Sequence, residues 1–303
     1  MRYSSVRRKV VFGAAFATSM QAVSGCAFIT GPSPAVIAPP PSTLAAENVR
    51  FQSESGSRIH AWYVRGRPGA GAVLLLHGVG SNRTSMESRA AFLHDEGFTV
   101  LAPDFQAHGE SPGEHTTFGA LESLDAEAAM NFLRTVAPGE RIGVIGVSMG
   151  GAATLLGRGP ISADAFVLES VYPTIRNAVS DRLATWLGPL GGVGRHFTST
   201  ALRIIHSQTG VTEADLQPIR RIGSVRAPIL LISGTADRYT PIAEAESLFV
   251  QVRSPKMFWP VSGAAHEDLY AYAKAEYSKR VGGFLEQNLR SYRGSSALTA
   301  ARQ

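Results

Sequence analysis

Short runs of this chain are apolar at nearly every position: residues 72–76, 98–103, 142–147, 165–168 and 229–232. A strand buried on both faces reads this way, since successive side chains point to opposite sides of the sheet and both sides need covering. Between these runs the spacing turns helical. Met86, Ala90, Phe92 and Leu93 predict a helix over 84–96, stopped at Gly97. Leu121, Leu124, Ala128, Phe132 and Val136 predict the apolar face of a helix over 118–136, stopped by Pro138-Gly139. Further helices are predicted over 149–156, 241–251 and 267–288, and a last strand over 256–261. Two alternating stretches, 48–53 and 58–65, flank Ser55-Gly56-Ser57 and predict a hairpin. Strands and helices that alternate in this way imply an α/β fold with a mostly parallel sheet and helices on both faces.

The alternation breaks in two places. From about 172 to 223, helical pieces at 175–187 and 199–206 surround a glycine-rich stretch, with Trp186, Leu187, Phe197 and Leu202 among them. A long non-sheet segment inside a sheet domain is uncommon unless functional, and we read it as an inserted helical cap. Near the start, prolines at 32, 34, 39, 40 and 41 favour extended backbone. Residues 26–46 are therefore expected to form a tether, with the folded domain spanning 47–290 and a small, polar tail over 291–303.

Composition changes the picture at the N-terminus. The net charge of +5 is concentrated there, in Arg2, Arg7, Arg8 and Lys9, and no basic stripe with interleaved aromatics follows. No nucleic-acid surface is expected, and Arg220-Arg221 reads as a solvated pair. The cationic start, the apolar stretch 10–17 and the small residues after it form a secretory leader, too short for a comfortable membrane span. The chain's single cysteine, Cys26, ends Val23-Ser24-Gly25-Cys26, which resembles a bacterial lipobox. That resemblance implies cleavage after residue 25 and acylation of Cys26. The protein is then exported and held at a membrane by lipid, at the outer membrane if its host has two, since Ala27 rather than Asp follows. One cysteine excludes an intramolecular disulfide and a cysteine-based metal site.

Candidate chemistry sits after the strands, where open parallel sheets bind ligands. The strand at 142–147 runs into Gly146-x-Ser148-x-Gly150, the pattern of a sharp strand-to-helix turn with a serine at its apex. A serine nucleophile needs a base within hydrogen-bond reach and a third group to orient that base. His266 and Asp237 follow the last two predicted strands, and Glu169, after the strand at 165–168, is a second acid to consider. No histidine or carboxylate spacing suits a metal, and Gly146–Gly151 lacks the Lys-Ser/Thr of a phosphate loop, so no cofactor is expected.

These features together resemble the α/β-hydrolase superfamily, over about residues 47–288. The closest likeness is to its serine-aminopeptidase-like and monoacylglycerol-lipase-like branch. The residues that carry it are the His77-Gly78 loop, the Asp104-x-x-Ala107-His108-Gly109-x-Ser111 loop, the serine elbow, and Gly234-Thr235-Ala236-Asp237. Ala107 stands where the branch usually has glycine. The resemblance implies a Ser148-His266-Asp237 triad and an oxyanion hole made by the backbone N–H groups of Val79 and Met149. It gives His77 and His108 a loop-shaping part. The implied activity is hydrolysis of a small acyl substrate, most simply a carboxylic ester, through an acyl-enzyme. Peptidase, thioesterase or acyltransferase chemistry would use the same residues, and a non-catalytic surface scaffold is the alternative of another class.

Overall fold

The computed structural model describes residues 29–290. The leader, Cys26 and the tail after residue 290 lie outside them. In chain order the strands are β1 (Ser33–Pro34), β2 (Glu47–Gln52), β3 (Arg58–Val64), β4 (Ala72–Leu76), β5 (Thr99–Pro103), β6 (His108–Gly109), β7 (Ile142–Val147), β8 (Ala165–Glu169), β9 (Ile229–Gly234) and β10 (Lys256–Val261). Eight of them form one sheet in the order β10-β9-β8-β7-β4-β5-β3-β2. The pairs from β10 across to β5 are parallel; β3 pairs antiparallel with both β5 and β2. The predicted hairpin is β2-β3, and Gly56 takes a left-handed φ of 89° in its turn.

The continuous apolar runs follow from a core on each side of the sheet. In β4, Ala72, Leu74 and Leu76 belong to one cluster and Val73 and Leu75 to the other, all without exposed surface. Chain order reverses at β4: β5 lies on one side of it and β7 on the other. That is the topological switch point, where a crevice opens beyond the carboxyl ends of the strands. Leu76 is level with Gly146 and Gly234 with Val261, so the loops after β4, β7, β9 and β10 emerge at one rim.

The main helices are α1 (Glu87–Asp95), α2 (Ala120–Val136), α3 (Met149–Ala153), α4 (Ile175–Trp186), α5 (Gly191–His196), α6 (Thr198–Thr209) and α7 (Ile242–Gln251). The last predicted helix is broken instead into α8 (Leu269–Tyr272), α9 (Lys274–Tyr277), a π turn and α10 (Gly283–Leu289). The buried face of α2 also differs from the expected one. Glu122, Asp125, Ala126, Ala129, Met130 and Leu133 point inward. The two carboxylates do so because they satisfy loop donors. Glu122 accepts from Thr117 and from the Gly119 N–H, and Asp125 from the Gln106 N–H and Ser55. An apolar-only pattern misses such a face.

The segment expected to be a free tether is packed on the domain over its described part. Ser33 N–H donates to Ala107 O at 2.7 Å and Ala35 N–H to Gly109 O at 2.8 Å, making β1 a parallel partner of β6. Alternate residues donate in such a pairing, so Pro34 loses nothing by lacking an N–H. Thr30 is fully buried, its hydroxyl on Gln208, and Leu44 sits in a core cluster. Folded structure therefore begins well before Glu47. Among the described residues, no helix is long and apolar enough to cross a membrane.

Candidate active site

Ser148 stands between β7 and α3 with φ 51° and ψ −115°. This is a conformation that ordinary residues avoid, at a cost of about 1–3 kcal/mol. The surrounding backbone fixes it there. Ser148 N–H donates to Glu169 O at 2.8 Å, extending the sheet to β8, and its carbonyl accepts the Ala152 N–H at 3.0 Å. The turn is so tight that a Cβ on Gly146 would lie 2.6 Å from Gly151 Cα, and one on Gly150 would lie 2.3 Å from Leu76 O. Glycine at these two positions is required by close approach, not only by flexibility.

His266 and Asp237, predicted from separate loops, meet. His266 Nδ1 lies 2.8 Å from Asp237 Oδ2. Asp237 also accepts the Thr240 hydroxyl on Oδ2 at 2.7 Å, and the N–H groups of Tyr239 and Thr240 on Oδ1 at 2.8 and 2.9 Å. Burial alone would push this carboxyl up. The His266 hydrogen bond and charge, with the Thr240 donors, outweigh burial and hold its pKa below the ordinary value. An ionised Asp237 takes the Nδ1 proton as its partner, which leaves Nε2 of a neutral ring free to accept one. Glu169, the second acid considered, is engaged elsewhere. It is buried, paired with Arg89 at 2.7 Å, and bonded to the Tyr277 hydroxyl.

The loop after β4 runs beside the elbow: a Cβ built on Gly78 would lie 3.6 Å from Ser148 Cβ. His77 holds this loop from below. Its Nδ1 lies 2.8 Å from Gly78 O and its Nε2 accepts the Phe105 N–H at 3.1 Å, the arrangement of a neutral ring. Burial, then neighbouring His108, push its pKa down to about 3 against the pull of the Gly78 carbonyl. His108 repeats the device: Nδ1 faces Gln106 O at 2.9 Å and Nε2 accepts the Gly80 N–H at 3.1 Å. Asp104 closes the second loop by accepting Arg83 and Glu110 N–H groups and pairing with the Arg83 guanidinium. Ala107 takes a positive φ of 58°, a conformation glycine adopts without strain.

Ser148, His266, Val79 and Met149 line one cavity of about 240 Å³. Its walls are mainly apolar, with Phe118, Tyr172, Ile175 and Val179 among them, and α4 and α6 close one side. A serine hydroxyl, an imidazole and a buried carboxylate in this order can carry out nucleophilic acyl transfer. Six residues of the cavity wall carry no functional signal in the sequence. Tyr239 and Thr240 lie in the acid loop, two and three residues after Asp237, and the Tyr239 ring is 5.4 Å from that of His266. Arg182 enters from α4. Ile29, Gly31 and Ser33 come from the proline-rich segment, whose composition carries no sign of a pocket wall. His196 and His206 lie exposed on the helical segment, away from the cavity. Among the described residues, no group of three or more His, Cys, Asp or Glu is placed to hold a metal ion.

Comparison with known proteins places this architecture among relatives. The profile of the alpha/beta hydrolase family matches residues 73–278. The chain is 26% identical over 240 residues to the uncharacterized protein YfhR of Salmonella typhimurium, covering 76% of this chain and 78% of that one. It is 30% identical over 232 residues to the uncharacterized protein Rv2307c of Mycobacterium tuberculosis, covering 74% and 73%. Among solved structures, the Pyrococcus furiosus esterase Pf2001 is similar with a TM-score of 0.69 and 25% identity, over 86% of this chain and 100% of that one.

Proposed function

The chain belongs to the alpha/beta hydrolase family, and from that premise we propose that it is a serine hydrolase that cleaves carboxylic esters through an acyl-enzyme. One observation carries the reading: a serine held at φ 51° on the strand-to-helix elbow shares a cavity with a histidine whose far nitrogen is bonded, at 2.8 Å, to a buried carboxylate. The solved esterase with a similar fold supports an ester as the substrate class.

In this mechanism His266 Nε2 takes the proton of Ser148 Oγ as the oxygen attacks the ester carbonyl. Asp237 keeps the imidazole oriented and stabilises its charged form without taking the proton. The developing oxyanion is met by the Val79 and Met149 N–H groups, and losing one such donor commonly costs about 3 kcal/mol of barrier. His266 then protonates the leaving alkoxide, and water enters by the same route to release the acid. The apolar wall supplies binding energy to the acyl or alcohol chain.

The second half of the proposal is location. Cys26 lies outside the described residues, and the leader-like pattern before it supports export and lipid anchoring. Several acyl chains on one cysteine would hold firmly, since each buried methylene contributes roughly 0.8 kcal/mol. The test of the activity is hydrolysis of p-nitrophenyl esters by wild type and Ser148→Ala. Turnover by wild type that falls at least 10³-fold in the variant is expected; equal turnover by both would refute the nucleophile. The test of the anchor is Cys26→Ser, which is expected to release the protein from membranes; unchanged retention would refute lipidation.

A further inference from the structure

The catalytic cavity has an electrostatic asymmetry that the esterase reading leaves unused. Among the described residues that line it, Arg182 carries the one permanent charge, and no carboxylate lines it at all. The neighbouring acids are committed. Asp237 serves His266 and Thr240, and Asp181 pairs with Arg195 at 3.2 Å. Arg182 itself makes no ion pair among the described residues. Its guanidinium packs 4.8 Å from the centroid of the Tyr239 ring and 6.0 Å from that of Trp186. Such packing gives the cation an aromatic face but takes up none of its five N–H donors in an oxygen-accepted hydrogen bond. Burial holds its pKa below the ordinary value, against the pull of Tyr239 and Asp237. A half-buried cation in a mainly apolar pocket has already lost part of its hydration, which favours an anionic ligand over a neutral one.

We propose that Arg182 is an anion-binding residue of the substrate pocket, and that the substrate is an ester that also carries a carboxylate or phosphate group. The proposal rests on the esterase reading and narrows it. Planar guanidinium donors match either oxyanion in a two-point contact. The position is suited to selection: Arg182 packs on Tyr239, whose ring touches that of His266, so the anion would be held on the histidine side of the reacting carbonyl. The surrounding apolar wall would take the rest of the chain.

The test compares p-nitrophenyl alkanoates of equal length ending in methyl, carboxylate or phosphate, with wild type, Arg182→Gln and Arg182→Lys. The wild type is expected to show a KM at least 10-fold lower for one of the anionic esters, which identifies the anion. Arg182→Gln is expected to abolish that difference, and Arg182→Lys to restore part of it. Equal KM values in wild type, or a glutamine variant that weakens all three esters alike, overturn the proposal. A binding arm separates it from the esterase reading. The Ser148→Ala protein is titrated with monomethyl and dimethyl adipate, followed by tryptophan fluorescence. If no ester is turned over, tighter binding of the monoanion that disappears with Arg182→Gln upholds the anion site while the esterase reading falls. Equal binding of the monoester and the diester there overturns the anion site as well.

Discussion

At the scale of single residues, what distinguishes the two acids near the sheet rim is their partner. Asp237 orients an imidazole, whereas Glu169 neutralises the buried Arg89. The two isosteric substitutions should therefore fail in different ways. Asp237→Asn is expected to lower kcat by about 10³–10⁴-fold with little change in unfolding free energy, because the wrong ring tautomer is then favoured. Glu169→Gln is expected to destabilise the fold by up to about 3 kcal/mol, because buried Arg89 is left with the half-exposed Asp268 as its remaining counter-charge, with kcat of the folded fraction close to wild type. Ester kinetics beside urea unfolding of both variants checks this, and a Glu169→Gln protein that is stable but inactive would reverse the assignment. Sequence proximity to a strand end made both acids candidates. The resemblance of Gly234-Thr235-Ala236-Asp237 favoured Asp237, but the Arg89 and Tyr277 contacts, from α1 and α9, that commit Glu169 elsewhere are too distant for any spacing in the sequence to encode. Ser148 was more legible, because the glycines that its elbow requires are local.

At the scale of elements, the proline-rich segment is where pattern and structure part. Its composition suits extended backbone free of helix and sheet; Ser33–Pro34 is extended but paired, and Ser42–Leu44 forms a 3-10 turn. What composition does not carry is that extended backbone can pair, here with the β6 loop. That loop holds His108, and His108 holds Gly80, next to Val79. The segment is thus both a wall of the pocket and a brace for the loop after β4. Removal of residues 1–28 is expected to leave ester hydrolysis within about 3-fold, while removal of residues 1–34 should raise KM at least 5-fold and shift the preferred acyl length. Kinetics across a p-nitrophenyl ester series tests this, and indistinguishable truncations would contradict it. The α2 helix gives the parallel lesson: its length was legible from period and stop signals, its buried face was not, because Glu122 and Asp125 turn inward to bond loops.

Across the whole molecule, the sheet was the most legible part. Continuous apolar runs are the signature of strands covered on both faces, and the order of the loops then placed serine, acid and histidine at one rim. The packing of the helical segment onto that rim was not legible, and it creates a pH-sensitive joint. Glu244 on α7 is nearly buried and faces Asp181 on α4. Burial, then Asp181, push its pKa up to about 8. The folded chain therefore keeps a proton that the unfolded chain releases near pH 4.5. The stability this group contributes is complete below pH 4.5 and is lost as pH rises to 8. Glu244→Gln cannot lose that proton. Its stability should fall less than that of wild type between pH 5 and pH 8, by about 1–2 kcal/mol once partial solvation is allowed for. Urea midpoints at the two pH values measure the difference, and parallel pH dependences would contradict it.

The proposed activity rests on one chemical event, the attack of Ser148 Oγ on an electrophile with His266 as its base. A fluorophosphonate probe reacts with a serine only when that serine is activated, and peptide mass mapping locates the adduct. One adduct per chain on the peptide that contains Ser148, absent from Ser148→Ala and formed at least 10²-fold more slowly in His266→Ala, is the result predicted. An adduct on any other residue, or labelling that persists undiminished in Ser148→Ala, would contradict it.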